Sequence, residues 1–514
     1  MRDLIRSVLL AGVVVLIPVA VAEVQLGSEA FAATGFRELQ GKQVGLITNP
    51  SGVNRKGEST IDLLLHAAGL KLIALFGPEH GVYGDVKAGE SIAERTDRRT
   101  GLPVHSLYGA TRKPTPAMLK VLDALVYDLQ DTGVRSYTFI STMGLAMEAC
   151  AEAGVEFFVL DRPNPLGGER VEGPMVDDRF RSFVGQWNIP YVYGMTCGEL
   201  ARMINGEGWI KAPCHLTVIP MNGWRRAMVW RDTGLPWVPT SPNVPRAESP
   251  LYYAATGLFG ELAGGSGASI GTRLRRPFEC VIAPWLDANR LSAAMGGCGL
   301  RGVSFPTFGV LHEGQQLHGV SLKIGDPVRA PLVAINFYLL DGIRKASGHD
   351  LFAESMKRQK DFQMFDKVCG TDDIRGRLKA GQSALEIVNA WKAGEEAFRQ
   401  RRQRYLLYPE AALPTPAPGN EAKQLALTVE SKPSPTISSK TAPPPALTNQ
   451  PAPTNPPAQS LPPLTITVSR GDSAAKIAND FAISASDIAE ANPGVNLNKL
   501  KVGQKLKIPR NPPK

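Results

Sequence analysis

The chain predicts an α/β fold: a doubly wound parallel sheet, then an α+β companion region, then a small βααβ module on a proline-rich linker. Three observations in its 514 residues predict this. Short apolar runs without polar alternation recur between segments of helical spacing, the pattern of parallel strands buried on both faces. Polar residues gather where those runs stop. Past residue 408 the composition collapses into Pro, Ala, Thr and Ser before a compact final segment begins.

The elements follow in order. "MRDLIRSVLLAGVVVLIPVAVAEV" places Arg2 and Arg6 ahead of an apolar stretch from Val8 to Ala22. That stretch is shorter than the ~20 residues of a membrane span, and small residues at Ala20–Ala22 and Ala30–Ala32 suit cleavage. Residues 1–32 therefore read as a secretory signal peptide cut near 22 or 32, with an uncleaved anchor as the alternative. No other segment is long and apolar enough to span a bilayer.

"KQVGLITNPSG" is an apolar strand ending in turn residues, and "STIDLLLHAAG" is a helix with a glycine stop. "LKLIALFGPEHG", "DALVYDLQDTGVRSYT" and "VEFFVLDRPNPLGG" are further strands, with the helix "STMGLAMEACAEAG" before the last. They make an α/β domain over 35–184. Residues 185–408 form the companion, with the loop "GLPWVPTSPNVPRAESP", the strand "PFECVIAPWLD" and the helix "LVAINFYLLDGIRKAS". Residues 409–463 are the linker, extended at ~3.1 Å per residue where polyproline-like. Residues 464–512 are the terminal module.

Composition excludes several functions. The net charge of +9 and pI of 9.2 favour anionic partners. The one dense basic cluster, "FRQRRQRY", reads as an exposed helix face, so nucleic acid is not the partner. Six cysteines without a C-x-x-C pair read as separate buried thiols, with room for one bridge. Seven histidines lack ligand spacing, and there is no P-loop, G-x-S-x-G elbow or G-x-G-x-x-G. No metal and no cofactor is implied.

Carboxylates are the resource that remains. Asn49, Glu79, Asp128, Asp131 and Asp161 all fall at or just past the end of an apolar strand, where open parallel sheets bind ligands. Glycoside hydrolysis needs an acid for the leaving oxygen and a second group for a nucleophile or water. Glu79 fits the acid, on a loop shaped by proline and glycine with His80 and Tyr83 beside it. Asp128 and Asp131 are candidates for the second group, and a tyrosine-assisted route stays open. Arg135 and Tyr137 could orient substrate, and Asp161, Arg162 and Asn164 of "DRPN" add a charged edge. Trp237 and Trp285 suit sugar stacking and core packing equally.

The final segment resembles a LysM domain through Gly471, Asp472, Ile477, Ala478, Asn492, Pro493, Leu500, Gly503, Gln504, Leu506 and Pro509. The resemblance implies a βααβ fold that binds N-acetylglucosamine-containing glycans, peptidoglycan above all, with Gly471, Asp472, Asn492 and Pro493 as glycan-binding candidates. Upstream, "GLITNPSGVN", "LFGPEHGVYGDVKAGE", "LVYDLQDTGVRSYTFISTM", "VLDRPNPLGG", "VEGP", "YGMTCGELA", "WVPTSPNVP", "RPFE" and "APW-x-D" resemble the NamZ-like exo-β-N-acetylmuramidase family over about 36–408.

That resemblance implies a Rossmann-like domain holding the active site, an auxiliary domain, and removal of N-acetylmuramic acid (MurNAc) from the non-reducing end of peptidoglycan fragments in the cell envelope. It implies Glu79, in G-P-E-H-G, as the catalytic glutamate, and adds Asn243 of "WVPTSPNVP" to the substrate-binding set. One stretch departs from the family pattern. Many members carry E-G-T-N-x-S and then G-R-G-T, where this chain has "GELAGGSGASIGT" (Gly260 to Thr272), with Glu261 inside it and Arg273 after it. A non-catalytic peptidoglycan binder, or an esterase or deacetylase on the same glycans, are the alternatives.

Overall fold

The computed structural model describes residues 23–86, 95–263, 266–358 and 362–408, and, in the C-terminal module, 464–468, 473–474, 477–478, 485–501 and 503–508. The chain divides into two compact units, 1–411 and 412–514. The linker, Gly471 and Asp472 lie outside the described residues, as does the apolar N-terminal stretch.

Seven strands build the main sheet: β1 (Gln43–Thr48), β2 (Lys71–Gly77), β3 (Arg95–Thr96), β4 (Pro103–Ser106), β5 (Ala124–Asp128), β6 (Glu156–Leu160) and β7 (Leu216–Ile219). Their order is β3-β4-β2-β1-β5-β6-β7, with every pairing parallel except β3 with β4. From β1 the chain winds outward to β2 and β4, then crosses back to β5 on the other side. The strand order therefore reverses between β1 and β5, the switch point of a Rossmann-like sheet.

The apolar runs are continuous because both faces are covered. Val44, Leu46, Leu75, Val126 and Phe158 pack on one side with Phe31, Ile61 and Leu64. Ile47, Phe76, Leu125, Tyr127 and Phe157 pack on the other with Phe139, Met143, Met147 and Leu200. The second layer comes from two helices, Phe139–Ala153 and Cys197–Gly206.

Three strands, the two-residue β3 and the longer β4 and β7, escaped the sequence reading. β4 and β7 are four residues long, β4 opens on a proline, and β7 is only half-buried throughout. β7 lies past residue 184, so the sheet is completed by chain that composition had assigned to the companion region.

The N-terminal end of the described chain is part of this layer. Helix α1 (Gly27–Ala33) packs on β6 and β7, with Gly27 N–H donating to Asp161 C=O at 3.0 Å. Phe31, 1% exposed, stacks 6.0 Å from Phe158 and meets Phe36 edge-on at 5.2 Å. A cut after Ala32 would remove this helix, and a cut after Ala22 leaves it whole.

The second half of the unit has its own core around α2 (Ser249–Ala263), α3 (Leu332–Ser347) and the antiparallel strands Thr307–His312, Gln315–Ser321 and Cys280–Ala283. The basic helix Lys392–Arg402 is not the exposed face that its composition suggested. Arg402 is 3% exposed and donates to the carbonyls of Gly168, Tyr193 and Gly194, while Arg399 donates to those of Glu169 and Val171. All six cysteines are free thiols, and five are buried.

In the C-terminal unit, Leu464–Thr467 pairs antiparallel with Lys505–Ile508, and helix Ala485–Ala491 packs on the latter strand. Val468, Ile477, Ala478, Ile488 and Leu506 form its core. Among the described residues, no helix is long and apolar enough to cross a membrane.

Candidate active site

Glu79 stands two residues past β2 on a turn that its neighbours force tight. Gly81 N–H bonds to Pro78 C=O at 2.9 Å, and a side chain at Gly77 would meet Val82 N at 3.0 Å. His80 (φ 71°) and Gly81 (φ 78°) are both left-handed. For a non-glycine residue that conformation costs on the order of 1–2 kcal/mol, so the histidine is held there by its surroundings. Its Nδ1 lies 2.9 Å from the Val86 carbonyl. A carbonyl only accepts, so that nitrogen carries the proton and fastens the turn.

The Glu79 carboxyl is half-buried, and Thr138 Oγ1 donates to its Oε2 at 2.8 Å. Thr138 occupies the N-cap of helix Phe139–Ala153 but makes no side-chain capping bond. Such a cap is worth about 1 kcal/mol; here the hydroxyl serves the carboxyl instead. Tyr108, on the loop after β4, lies beside Glu79. Burial first and then the Glu79 charge push its phenol up to about 12. Tyr83 is likewise pushed up to about 12 by burial and by Asp97.

The structure separates the two aspartates that the sequence left open. Asp128 is fully buried in an ion pair: Arg162 Nε and Nη2 donate to its two oxygens, the second at 2.9 Å, and Thr60 donates to Oδ2. Arg162 also donates to Val53 C=O at 2.9 Å. Both residues are taken by one another and by the frame of the switch point.

Asp131 is different. Tyr193 and Gly133 N–H both donate to its Oδ2, the latter at 2.7 Å, while its buried Oδ1 has no partner among the described residues. Burial raises its carboxyl to about 6 against the opposing pull of those donors. One oxygen of this buried carboxyl is therefore held, and the other, equally buried, carries no hydrogen bond among the described residues.

The remaining expected residues divide the same way. Tyr137 OH meets Thr240 Oγ1 at 2.8 Å, and Asn49 reaches over to Thr240 C=O at 3.2 Å while its Oδ1 accepts from Ser51. Asn243 is half-buried in that loop. Arg135, expected at the substrate, is instead fully buried. It donates to the carbonyls of Pro174, Ile189, Val368 and Cys369 at 2.6–2.8 Å, and burial lowers it to about 10.

Asp161 accepts from Gly198 N–H at 2.8 Å, Thr196 at 2.7 Å and Tyr408, fixing the start of helix Cys197–Gly206, and burial raises it to about 6. Asn164 is bonded on both sides, to Met195 C=O and Leu166 N–H, each at 2.9 Å. Trp237 packs edge-on to Trp230, and one face of Trp285 is covered by His349 at 3.9 Å. In the C-terminal module, Asn492 is buried and ties the helix to the last strand. It donates to Ile488 C=O and Lys507 C=O at 2.8 and 2.6 Å and accepts from Lys507 N–H at 2.7 Å. Pro493 beside it is exposed.

Sequence reasoning missed Thr138, Tyr108, Tyr193 and Tyr253. Thr138 was within view, since it sits inside "RSYTFIST" at a helix start. The tyrosines come from distant segments and carry no local signal.

A half-buried carboxyl held through one oxygen by Thr138, on the turn after a central parallel strand, is the kind of group that the glycoside hydrolase class uses. Comparison gives the family. A model described as "Exo-beta-N-acetylmuramidase NamZ, N-terminal" matches residues 44–248, its C-terminal counterpart matches 251–408, and a LysM domain model matches 466–509. "Peptidoglycan beta-N-acetylmuramidase NamZ" of Bacillus subtilis (strain 168) is 42% identical over 397 residues, 75% of this chain and 92% of that one.

Two crystal structures of DUF1343 family proteins from Bacteroides fragilis NCTC 9343 share the fold. One has a TM-score of 0.68 at 44% identity, covering 75% of this chain and 99% of its own. The other has a TM-score of 0.59 at 31% identity, covering 76% and 100%. The chain belongs to the NamZ exo-β-N-acetylmuramidase family and carries a LysM domain.

Proposed function

We propose that this protein removes MurNAc from the non-reducing end of peptidoglycan fragments, with Glu79 as general acid and Asp131 as the second carboxyl. Glu79 passes its proton to the glycosidic oxygen as the bond from the sugar's C1 to that oxygen breaks. The leaving sugar departs as a neutral alcohol, and water completes the hydrolysis at C1. Because Oε2 accepts from Thr138, the transferable proton resides on Oε1. Asp128 is unsuited to the second role, since protonating it or freeing it would strand Arg162. Tyr137, Asn243 and Tyr83 are the candidate substrate contacts in this reading.

The observation that carries the reading is the Glu79–Thr138 hydrogen bond, which fixes a carboxyl at the strand end where the family motif G-P-E-H-G falls. The LysM domain adds reach: a glycan binder joined by a long linker raises the local concentration of chain ends without a new contact at the site. Export fits the same picture. The integration of Gly27–Ala33 into the fold favours signal removal after Ala22, so Edman sequencing of the exported protein should begin at Glu23.

Incubation with MurNAc-β-1,4-GlcNAc (GlcNAc, N-acetylglucosamine), followed by mass spectrometry, tests the activity. Free MurNAc in equimolar amount with GlcNAc is expected. Binding to sacculi with no release from any soluble fragment would make the protein a peptidoglycan-binding scaffold instead.

A further inference from the structure

One side chain from the second half of the unit, Tyr253, touches the segment next to Glu79's partner Thr138. Helix α2 presents Tyr253, whose hydroxyl lies 2.7 Å from Ser136 Oγ; the same serine donates to Tyr191 OH at 3.1 Å. The Tyr253 ring also meets Tyr137 edge-on, at 6.2 Å and 71°. The next residue is Thr138, whose hydroxyl holds Glu79. Tyr137 is braced further by Phe139 at 4.6 Å and by Thr240. Three consecutive side chains between the Asp131 turn and the following helix are thus each gripped from outside, and Tyr253 touches two of them.

We infer that Tyr253 is a positioning residue for the general acid: by its hydroxyl on Ser136 and its ring on Tyr137 it clamps the segment from which Thr138 orients the Glu79 carboxyl. This rests on the reading of Glu79 as the acid. The back of the Tyr253 ring packs on Phe278, 4.9 Å away, a residue at φ 70° whose N–H bonds to Ile270 C=O at 2.6 Å. Ile270 lies in the "GELAGGSGASIGT" stretch that departs from the family pattern. That stretch therefore bears on the acid indirectly, through Phe278 and Tyr253. Burial first, and after it the charges of Glu261, Glu79 and Asp131, hold the Tyr253 phenol above its ordinary range against the pull of its hydrogen bond to Ser136.

The test is Tyr253→Phe in the full-length protein, which keeps the ring and removes the hydroxyl, beside Thr138→Val and Glu79→Gln. Misorientation by a fraction of an ångström costs roughly ten- to a hundredfold in rate. A kcat lower by about tenfold on MurNAc-β-1,4-GlcNAc is expected, with KM within about twofold and an unchanged melting temperature. The alkaline limb of the kcat–pH profile should move to higher pH, because a loosened donor favours the protonated acid. Thr138→Val should give the same signature, and the deficit of both should shrink on an aryl glycoside whose leaving group needs little protonation.

Wild-type kcat and pH profile in Tyr253→Phe, with Glu79→Gln inactive, would overturn the inference while leaving the acid in place. An equal deficit on both substrates would assign Tyr253 to general packing and overturn it as well. Full activity in Glu79→Gln would remove the acid reading itself.

Discussion

Replacing Asp128 with Asn separates a frame residue from a chemical one. The perturbation leaves the shape intact but removes the charge opposite Arg162, which is 4% exposed and donates twice to that carboxylate. Breaking one partner of a buried pair typically costs 3–5 kcal/mol, because the surviving charge is left in low dielectric. Over the roughly 390 residues of this unit, unfolding entropy is about 0.8 kcal/mol/K, so a loss of about 4 kcal/mol lowers the melting temperature by about 5 °C. Calorimetry and urea unfolding measure this, with kcat on the disaccharide determined well below the melting point. The expected variant is markedly less stable, and its folded fraction turns over at close to the wild-type rate. Replacing both partners, Asp128→Leu with Arg162→Met, should recover much of the loss, since a well-packed apolar pair avoids the stranded charge. An Asp128→Asn protein that is as stable as wild type yet inactive would refute this reasoning and return Asp128 to the chemistry.

Three further outcomes follow from the same structure. Arg135→Met should lose more than about 3 kcal/mol of stability, since four buried carbonyls lose a charged donor, and should leave KM unchanged in the protein that still folds; a raised KM at full stability would make Arg135 a substrate ligand. Asp131, raised from 3.8 to about 6, binds its proton more tightly in the folded state, so its contribution is fully present below about pH 4 and is lost as pH rises through 6. That is up to about 3 kcal/mol; Asp131→Asn should flatten the fall in urea-derived stability between pH 4 and 6, with Asp161 supplying the slope that remains, and an unchanged slope would contradict it. Ending the chain at residue 411 should leave kcat on the soluble disaccharide intact while weakening sacculus binding by about a hundredfold or more; retained binding would place the glycan affinity in the catalytic unit.

The central strands were legible because parallel strands covered on both faces leave an unbroken apolar signature, as in "LKLIALFG" and "VEFFVL". The short outer strands β3, β4 and β7 were not, since two to four residues with a leading proline or half-exposed side chains carry too little signal. Of the candidate site, the turn that carries Glu79 was legible: a proline, then a carboxyl, a histidine and a glycine directly after an apolar strand mark a tight turn. Arg135, Asp161, Arg162 and Asn164 misled for a physical reason. Strand-end polar residues build the frame of the switch point as readily as they bind ligands, and only their partners tell the two apart. Two of those partners, Val368 for Arg135 and Tyr408 for Asp161, lie more than two hundred residues away. Tyr253 stayed hidden because its meaning depends on Ser136 and Tyr137 across the interface of the two halves.

The most direct measurement of the central claim compares Glu79→Gln with wild type on two substrates, MurNAc-β-1,4-GlcNAc and 4-nitrophenyl-β-MurNAc. A general acid is needed where the leaving group is a sugar alcohol and hardly at all where it is nitrophenolate. The account predicts a loss of roughly 10²- to 10⁴-fold on the disaccharide and a far smaller one on the aryl glycoside. Equal losses on both would contradict it, and would mean that Glu79 binds substrate or stabilises the sugar cation rather than delivering the proton.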